Sequence, residues 1–147
     1  TSVVFEIKTL DDAYNYLKNG LNNFCSHIIK IRNEKETEIF NSAIDYINNK
    51  YYEDINAKKI ASLFNCSYEY FKKLFTKYSE VNFSDYLTKI RIEKSKDFIL
   101  SSNADDEIVA LKVGYEDVTV FRANFKRIEG YATSDFRHLN NRNDNNN

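Results

Sequence analysis

Residues 114–127, GYEDVTVFRANFKR, restate a pattern met about fifty residues earlier in 65–77, NCSYEYFKKLFTK. Each run opens on a small polar residue, Ser67 or Asp117, with Phe four and eight places later: Phe71 and Phe75, then Phe121 and Phe125. A base follows the first Phe directly (Lys72, Arg122), and another stands two after the second (Lys77, Arg127). Residues four apart share one helix face, and Ser or Asp is a good N-cap. Each run therefore predicts a helix with a buried aromatic stripe and a basic outer face. Upstream of each lies a shorter helical pattern, 60–64 (IASLF) and 109–113 (VALKV), with Ala61 and Ala110 in equivalent places. A small side chain there lets the second helix cross closely, as a helix-turn-helix requires. The second copy has one extra residue in its turn, since the Ala residues are 49 apart and the Phe residues 50.

Around the two copies the apolar period stays helical. Asn56 is expected to cap the first short helix and Ser67 the next. Asn82 and Asp85 open a long helix over 83–100, with Phe83, Tyr86, Leu87, Ile90, Phe98 and Ile99 inward. Asn103 and the acids Asp105, Asp106 and Glu107 precede a short helix that Gly114 ends. Acids at a helix start suit its dipole better than they suggest a metal. Asp117 caps a helix to about Glu129, closed by Gly130. Toward the N-terminus, 3–7 (VVFEI) look extended, and Thr9 with Asp12 forms a capping box. A helix follows from Leu10 to about Ile31, weakened by Gly20, with Leu10, Tyr14, Leu17, Leu21, Phe24 and Ile28 on one face. The polar stretch 32–38 (RNEKETE) either joins this helix to one near 36–50, carrying Ile39, Ala43, Ile44 and Ile47, or continues it. The stripe suits coiled-coil-like pairing or packing on the downstream domain. The expected fold class is all-α: two helix-turn-helix subdomains joined by a long linker helix, preceded by one or two N-terminal helices.

Composition removes other classes. No apolar run is long enough to span a membrane, and 1–12 (TSVVFEIKTLDD) has no basic region before an apolar stretch, so it reads as no signal peptide. Met is absent, which reads as a piece of a longer protein. Cys25 and Cys66 lie on apolar helical patterns and are expected as buried, reduced thiols. The two histidines, His27 and His138, are far apart, and no Gly-rich phosphate loop, paired-Cys motif or nucleophile–base set is visible. No enzyme, cofactor or metal is expected. The net charge of −1 argues against a simple basic binder, but its distribution does not. Residues 56–100 hold nine basic and five acidic side chains, a net of +4, against −3 for 1–55 and −1 for 101–142. A local basic face binds phosphates even on a neutral chain.

With Ala61, Arg91–Ile92, Gly114–Tyr115–Glu116–Asp117, Phe121–Phe125–Lys126 and Phe136–Arg137 in one register, residues 55–137 resemble the DNA-binding domain of AraC/XylS-type transcription regulators. The preceding region is similar, more loosely, to linker helices of bacterial response regulators with an AraC-type output domain. The resemblance implies linker or dimerisation helices over 1–54, ending a missing upstream domain, and a double helix-turn-helix DNA-binding domain over 55–139; the low-complexity Asn run 140–147 (NNRNDNNN) is expected to be a disordered tail. This chain departs from the family pattern at several places. Arg122–Ala123 stands where a small residue followed by Arg is usual. Thr133 replaces a Pro, Ser95 an Ala and Glu80 a Gly. Asp106 stands where an apolar residue is common, with Ile108 expected to take over its packing.

The resemblance implies a cytoplasmic, sequence-specific transcription regulator that binds double-stranded DNA, with recognition helices near 67–78 and 117–129 in successive major grooves. The alternative is a protein-interaction module of the same fold with weakened DNA binding. RNA polymerase and a second copy bound through residues 10–50 are further candidate partners; a membrane is not. Tyr68, Glu69, Lys72 and Lys73 form the expected outer face of the first recognition helix. Lys donates to guanine, Glu accepts from cytosine, and Lys77 suits phosphate. On the second helix Val118, Thr119 and Arg122 are expected to face out and Val120 to bury. Val118 would meet a thymine methyl, and Lys126 and Arg127 would touch phosphate.

Overall fold

The computed structural model describes residues 8–102 and 104–144, with side-chain surroundings as far as Asn140. The expected extended segment 3–7 and Asn103 lie outside the described residues. All the regular structure described is helical: α1 (Leu10–Lys50), α2 (Ala57–Leu63), α3 (Tyr68–Ser79), α4 (Phe83–Ser101), α5 (Asp106–Lys112), α6 (Val118–Glu129) and α7 (Thr133–Asp144). The all-α expectation holds. The chain divides into two compact units, Thr1–Ile39 and Phe40–Asn147.

In the first unit the capping box forms as read. The Asp12 N–H donates to Thr9 Oγ1 at 3.1 Å and the Thr9 N–H to Asp12 Oδ2 at 3.0 Å. The 32–38 stretch continues the helix. Lys30–Glu34 (4.0 Å) and Arg32–Glu36 (3.8 Å) make i,i+4 pairs across it, each supporting a helix by a few tenths of a kcal/mol. Leu10, Tyr14, Leu17, Leu21, Phe24, Ile28 and Ile31 are all exposed. Cys25 is exposed too, against the expectation of a buried thiol. It follows Phe24 on a helix whose apolar face is itself open, so nothing covers it.

The second unit has two cores. The first gathers Ala43 and Ile47 from the end of α1, Ile60 and Ala61 from α2, Phe71 and Phe75 from α3, and Phe83 and Leu87 from α4. Four aromatic rings pack tightly within it: Phe71, Phe75, Phe83 and Tyr86 lie with centroids 5.4–6.0 Å apart around Phe75 and Phe83. The second core gathers Ile92 and Ile99 from α4, Val109 and Ala110 from α5, Phe121 and Phe125 from α6, and Phe136 from α7. The linker helix α4 therefore gives its first half to one core and its second half to the other. Ser95 is fully buried there and donates to the Ile92 carbonyl at 2.7 Å, so the hydroxyl is satisfied inside the helix. Ile108 is exposed and takes no packing role. α7 runs five residues into the Asn-rich stretch expected as tail, and Asn140 Nδ2 donates back to the Phe136 carbonyl at 2.9 Å.

Arg91, at the middle of α4, fixes the chain just past α1. Its Nε donates to the Tyr51 carbonyl at 2.8 Å and its Nη2 to the Glu53 carbonyl at 2.9 Å. Its guanidinium lies 5.5 Å from the Tyr115 ring centroid. Gly114 comes so close that a Cβ there would sit 2.9 Å from both Arg91 Nη2 and the Tyr52 carbonyl.

Candidate nucleic-acid interface

The two helix-turn-helix copies are built alike. In the first, the Cys66 N–H returns to the Ala61 carbonyl at 3.0 Å; in the second, the Tyr115 N–H returns to the Ala110 carbonyl at 2.9 Å. Both alanines are buried, at 2% and 1% exposure, where the helices cross. The cap follows at once in the first copy: Ser67 Oγ accepts from the Tyr70 N–H at 3.2 Å. In the second, Glu116 intervenes before Asp117 Oδ1 accepts from the Thr119 N–H at 2.7 Å. The extra residue thus falls after the returning hydrogen bond, where it lengthens the turn without moving the alanine. Two positions need positive φ in each copy. The first copy fills them with Asn65 (φ 52) and Glu80 (φ 63), the second with Gly114 (φ 94) and Gly130 (φ 84).

On α3 the structure brings the expected residues to one surface. Phe71, Leu74 and Phe75 are buried beneath, and Tyr68, Glu69, Lys72, Lys73 and Lys77 are exposed. No acid is paired with Lys72 or Lys73 among the described residues. Lys77 Nζ lies 5.0 Å from the Tyr78 ring centroid. Two members of this surface escaped the sequence reading. Tyr70 is 38% exposed beside Glu69, and Lys58 of α2 places its Nζ 5.7 Å from the Tyr68 ring centroid. The basic second residue of α2 was the signal for Lys58.

α6 departs from expectation. Val118 is half-buried against the second core, whereas Val120 is 48% exposed. The burial read from sequence for these two valines is thus reversed. At about 100° per residue, Val118 stands three and seven places before Phe121 and Phe125 and shares their face, while Val120 lies a quarter-turn away. Thr119 and Lys126 are exposed as expected. Arg127 Nη2 turns to Asn124 Oδ1 at 3.3 Å and lies 3.9 Å from Asp85.

Arg122 is exposed but held back. Its Nε donates to Asp106 Oδ2 at 2.8 Å and its Nη2 to Glu107 Oε1 at 3.2 Å. Asp106 Oδ2 also accepts from Thr133 Oγ1 at 2.7 Å, and Oδ1 accepts from Arg137 Nη2 at 3.1 Å. Arg137 reaches the Ala104 carbonyl as well, at 2.8 Å. Three departures from the family pattern, Asp106, Arg122 and Thr133, are therefore one network. Burial alone would raise the Asp106 carboxyl, but hydrogen bonds from Arg122, Thr133 and Arg137 outweigh it and hold the group below the usual carboxylate range. The acids of this helix start serve the network, and the Asp105 side chain makes no cap hydrogen bond. No group of three His, Cys, Asp or Glu side chains could hold a metal among the described residues. None of their helices is long and apolar enough to cross a membrane.

Comparison with known proteins agrees with this architecture. A helix-turn-helix domain family matches residues 60–138. The raffinose operon transcriptional regulatory protein RafR of Pediococcus pentosaceus is 32% identical over 103 residues, 70% of this chain and 37% of that protein. The lactose operon transcription activator of Staphylococcus xylosus is 26% identical over 111 residues, 76% of this chain and 40% of that protein. The chain thus spans less than half the length of either relative. Among solved structures, the C-terminal domain of AraT, a response regulator from Geobacillus stearothermophilus, superposes with a TM-score of 0.67 at 27% identity, covering 69% of this chain and 84% of that one. The two tandem copies, the shared linker helix and these matches together place the chain in the AraC/XylS-type helix-turn-helix family.

Proposed function

We infer that the chain is the DNA-binding part of a cytoplasmic transcription regulator. It reads double-stranded DNA with α3 and α6 in successive major grooves, about one helical turn apart. The observation that carries this reading is α3. Its inner face is locked by three buried residues, Phe71, Leu74 and Phe75, while Glu69, Lys72 and Lys73 stand exposed on the outside. Lysine donors suit guanine and the glutamate suits cytosine. Lys58, Lys77 and Lys126 would meet phosphate in this reading.

Selection of the chain against a random duplex library at low salt, followed by sequencing, tests this. Two short motifs about ten base pairs apart are expected. No enrichment from a folded sample would refute it in favour of a protein-interaction module. Affinity should also fall steeply with salt, with a log–log slope near −0.9 per phosphate contact.

A second copy of the chain is the further partner supported. Leu10, Tyr14, Leu17, Leu21, Phe24, Ile28 and Ile31 alternate in steps of four and three, the a/d spacing of a coiled coil, and all are exposed. Ala43 and Ile47 are buried in the first core, so the pairing stripe covers 10–31 rather than the whole of 10–50. Sedimentation should show a dimer that Leu21→Asp converts to monomer; a monomeric parent chain would refute the pairing.

A further inference from the structure

We propose that α6 reads thymine through its 5-methyl group, with Val120 as the contacting side chain, and does not read guanine. This rests on the DNA-binding reading above. The exposed N-terminal part of α6 offers Thr119, Val120 and Ala123. The one cation among residues 118–123, Arg122, is tied to Asp106 and Glu107 at 2.8 and 3.2 Å. That part of the helix therefore presents no free guanidinium or ammonium for the paired acceptors of guanine.

The fifty-residue offset makes the contrast concrete. Where α6 shows Thr119, Val120 and Ala123, α3 shows Glu69, Tyr70 and Lys73. One fold thus presents hydrogen-bonding groups in one copy and a mainly apolar patch in the other. Single exposed apolar residues are ordinary on protein surfaces, but Val120 has a more specific setting. Its neighbour Val118 already fills the available place against the core. Val120 is β-branched, a weak helix former, and lies 48% exposed on the turn of a recognition helix that enters the groove. In the major groove the thymine methyl is the one apolar group on a base edge.

The test uses the whole 147-residue chain and its selected duplex. Each thymine in the half-site facing α6 is replaced in turn by deoxyuridine, which removes the methyl and nothing else. Binding should weaken about fourfold at each contacted position, the worth of roughly one buried methyl-sized group. Val120→Ala, a half-exposed change to a better helix former that should not lower the melting temperature, should narrow the thymine-to-uracil ratio. Equal binding of thymine and uracil duplexes overturns the proposal, as does a ratio unchanged in Val120→Ala or a half-site with no A·T pair facing α6. A chain that binds no duplex at all refutes the DNA-binding reading itself, which is a different result.

Discussion

Asp106→Ala should be the most informative single change in the second copy. The Asp106 side chain is only 12% exposed and accepts from three donors. The Thr133 and Arg137 bonds both run to the ionised carboxylate and are charge-assisted, each worth about 1–1.5 kcal/mol once the carboxylate's own burial is set against them. The Arg122 arm reaches water and adds little to stability. Removal of the carboxylate should therefore cost about 2–3 kcal/mol, since it also strands the Thr133 hydroxyl beneath the surface. For a domain of this size that corresponds to a fall in Tm of about 10–20 °C. The assay is thermal melting followed by far-UV circular dichroism, at pH 7 and then at falling pH. The folded carboxyl lies below its ordinary range. Its contribution is therefore complete above the unfolded value of about 3.9 and disappears as pH falls through the folded value. The gap between parent and Asp106→Ala should be full at pH 7 and narrow only as pH falls below about 3.9 through the lowered folded value. A variant that melts within about 2 °C of the parent at pH 7, or a gap that ignores pH, would refute this account of the network.

Other expectations concern the turns and the reading face. Gly114→Ala should cost more than Gly130→Ala in denaturant melts. Both have positive φ, worth about 1–2 kcal/mol of strain for a side chain, but only at Gly114 would the Cβ meet Arg91 and the Tyr52 carbonyl, while Gly130 has open space. Equal losses would show that the Arg91 contact yields freely. Glu80→Gly should stabilise the fold by roughly 0.5–1 kcal/mol, because Glu80 holds φ 63 at the place Gly130 fills in the other copy; a lower Tm would contradict that. Lys72→Ala and Lys73→Ala should each weaken specific DNA binding by about 1–3 kcal/mol and relax preference at the α3 half-site alone. Sequencing of selected sites that shows unchanged preference at that half-site after both changes would remove them as readers.

The sequence reading was strongest where one residue does one local job. Ser67, Asn56, Asn82 and Asp117 are caps whose side chains accept from nearby backbone N–H groups, and such bonds depend on three or four residues alone. The aromatic pairs were equally readable, since Phe71 with Phe75 and Phe121 with Phe125 fix each helix's inner face. Val118 and Val120 were misassigned because both are apolar and lie close to the cap, so only the angle from Phe121 separates them. Arg122 looked like a reader because its partner Asp106 is sixteen residues away, beyond any local pattern. Asp106, Arg122 and Thr133 were each visible as departures, but their mutual hydrogen bonds arise only when α5, α6 and α7 meet. Cys25 was placed by its apolar neighbours, and the open stripe beside it was not foreseeable from period alone.

Arg91 joins the two copies to the end of α1 in unequal ways. The first core holds the end of α1 through Ala43 and Ile47, both fully buried and packed without directional bonds. The second is tethered to the chain at Tyr51 and Glu53 by two directional hydrogen bonds, which resist sliding but break outright. The residues after α1 are thereby keyed to the midpoint of the linker helix, and loss of the Arg91 side chain would free them at Tyr51 and Glu53 while leaving Ala43 and Ile47 seated.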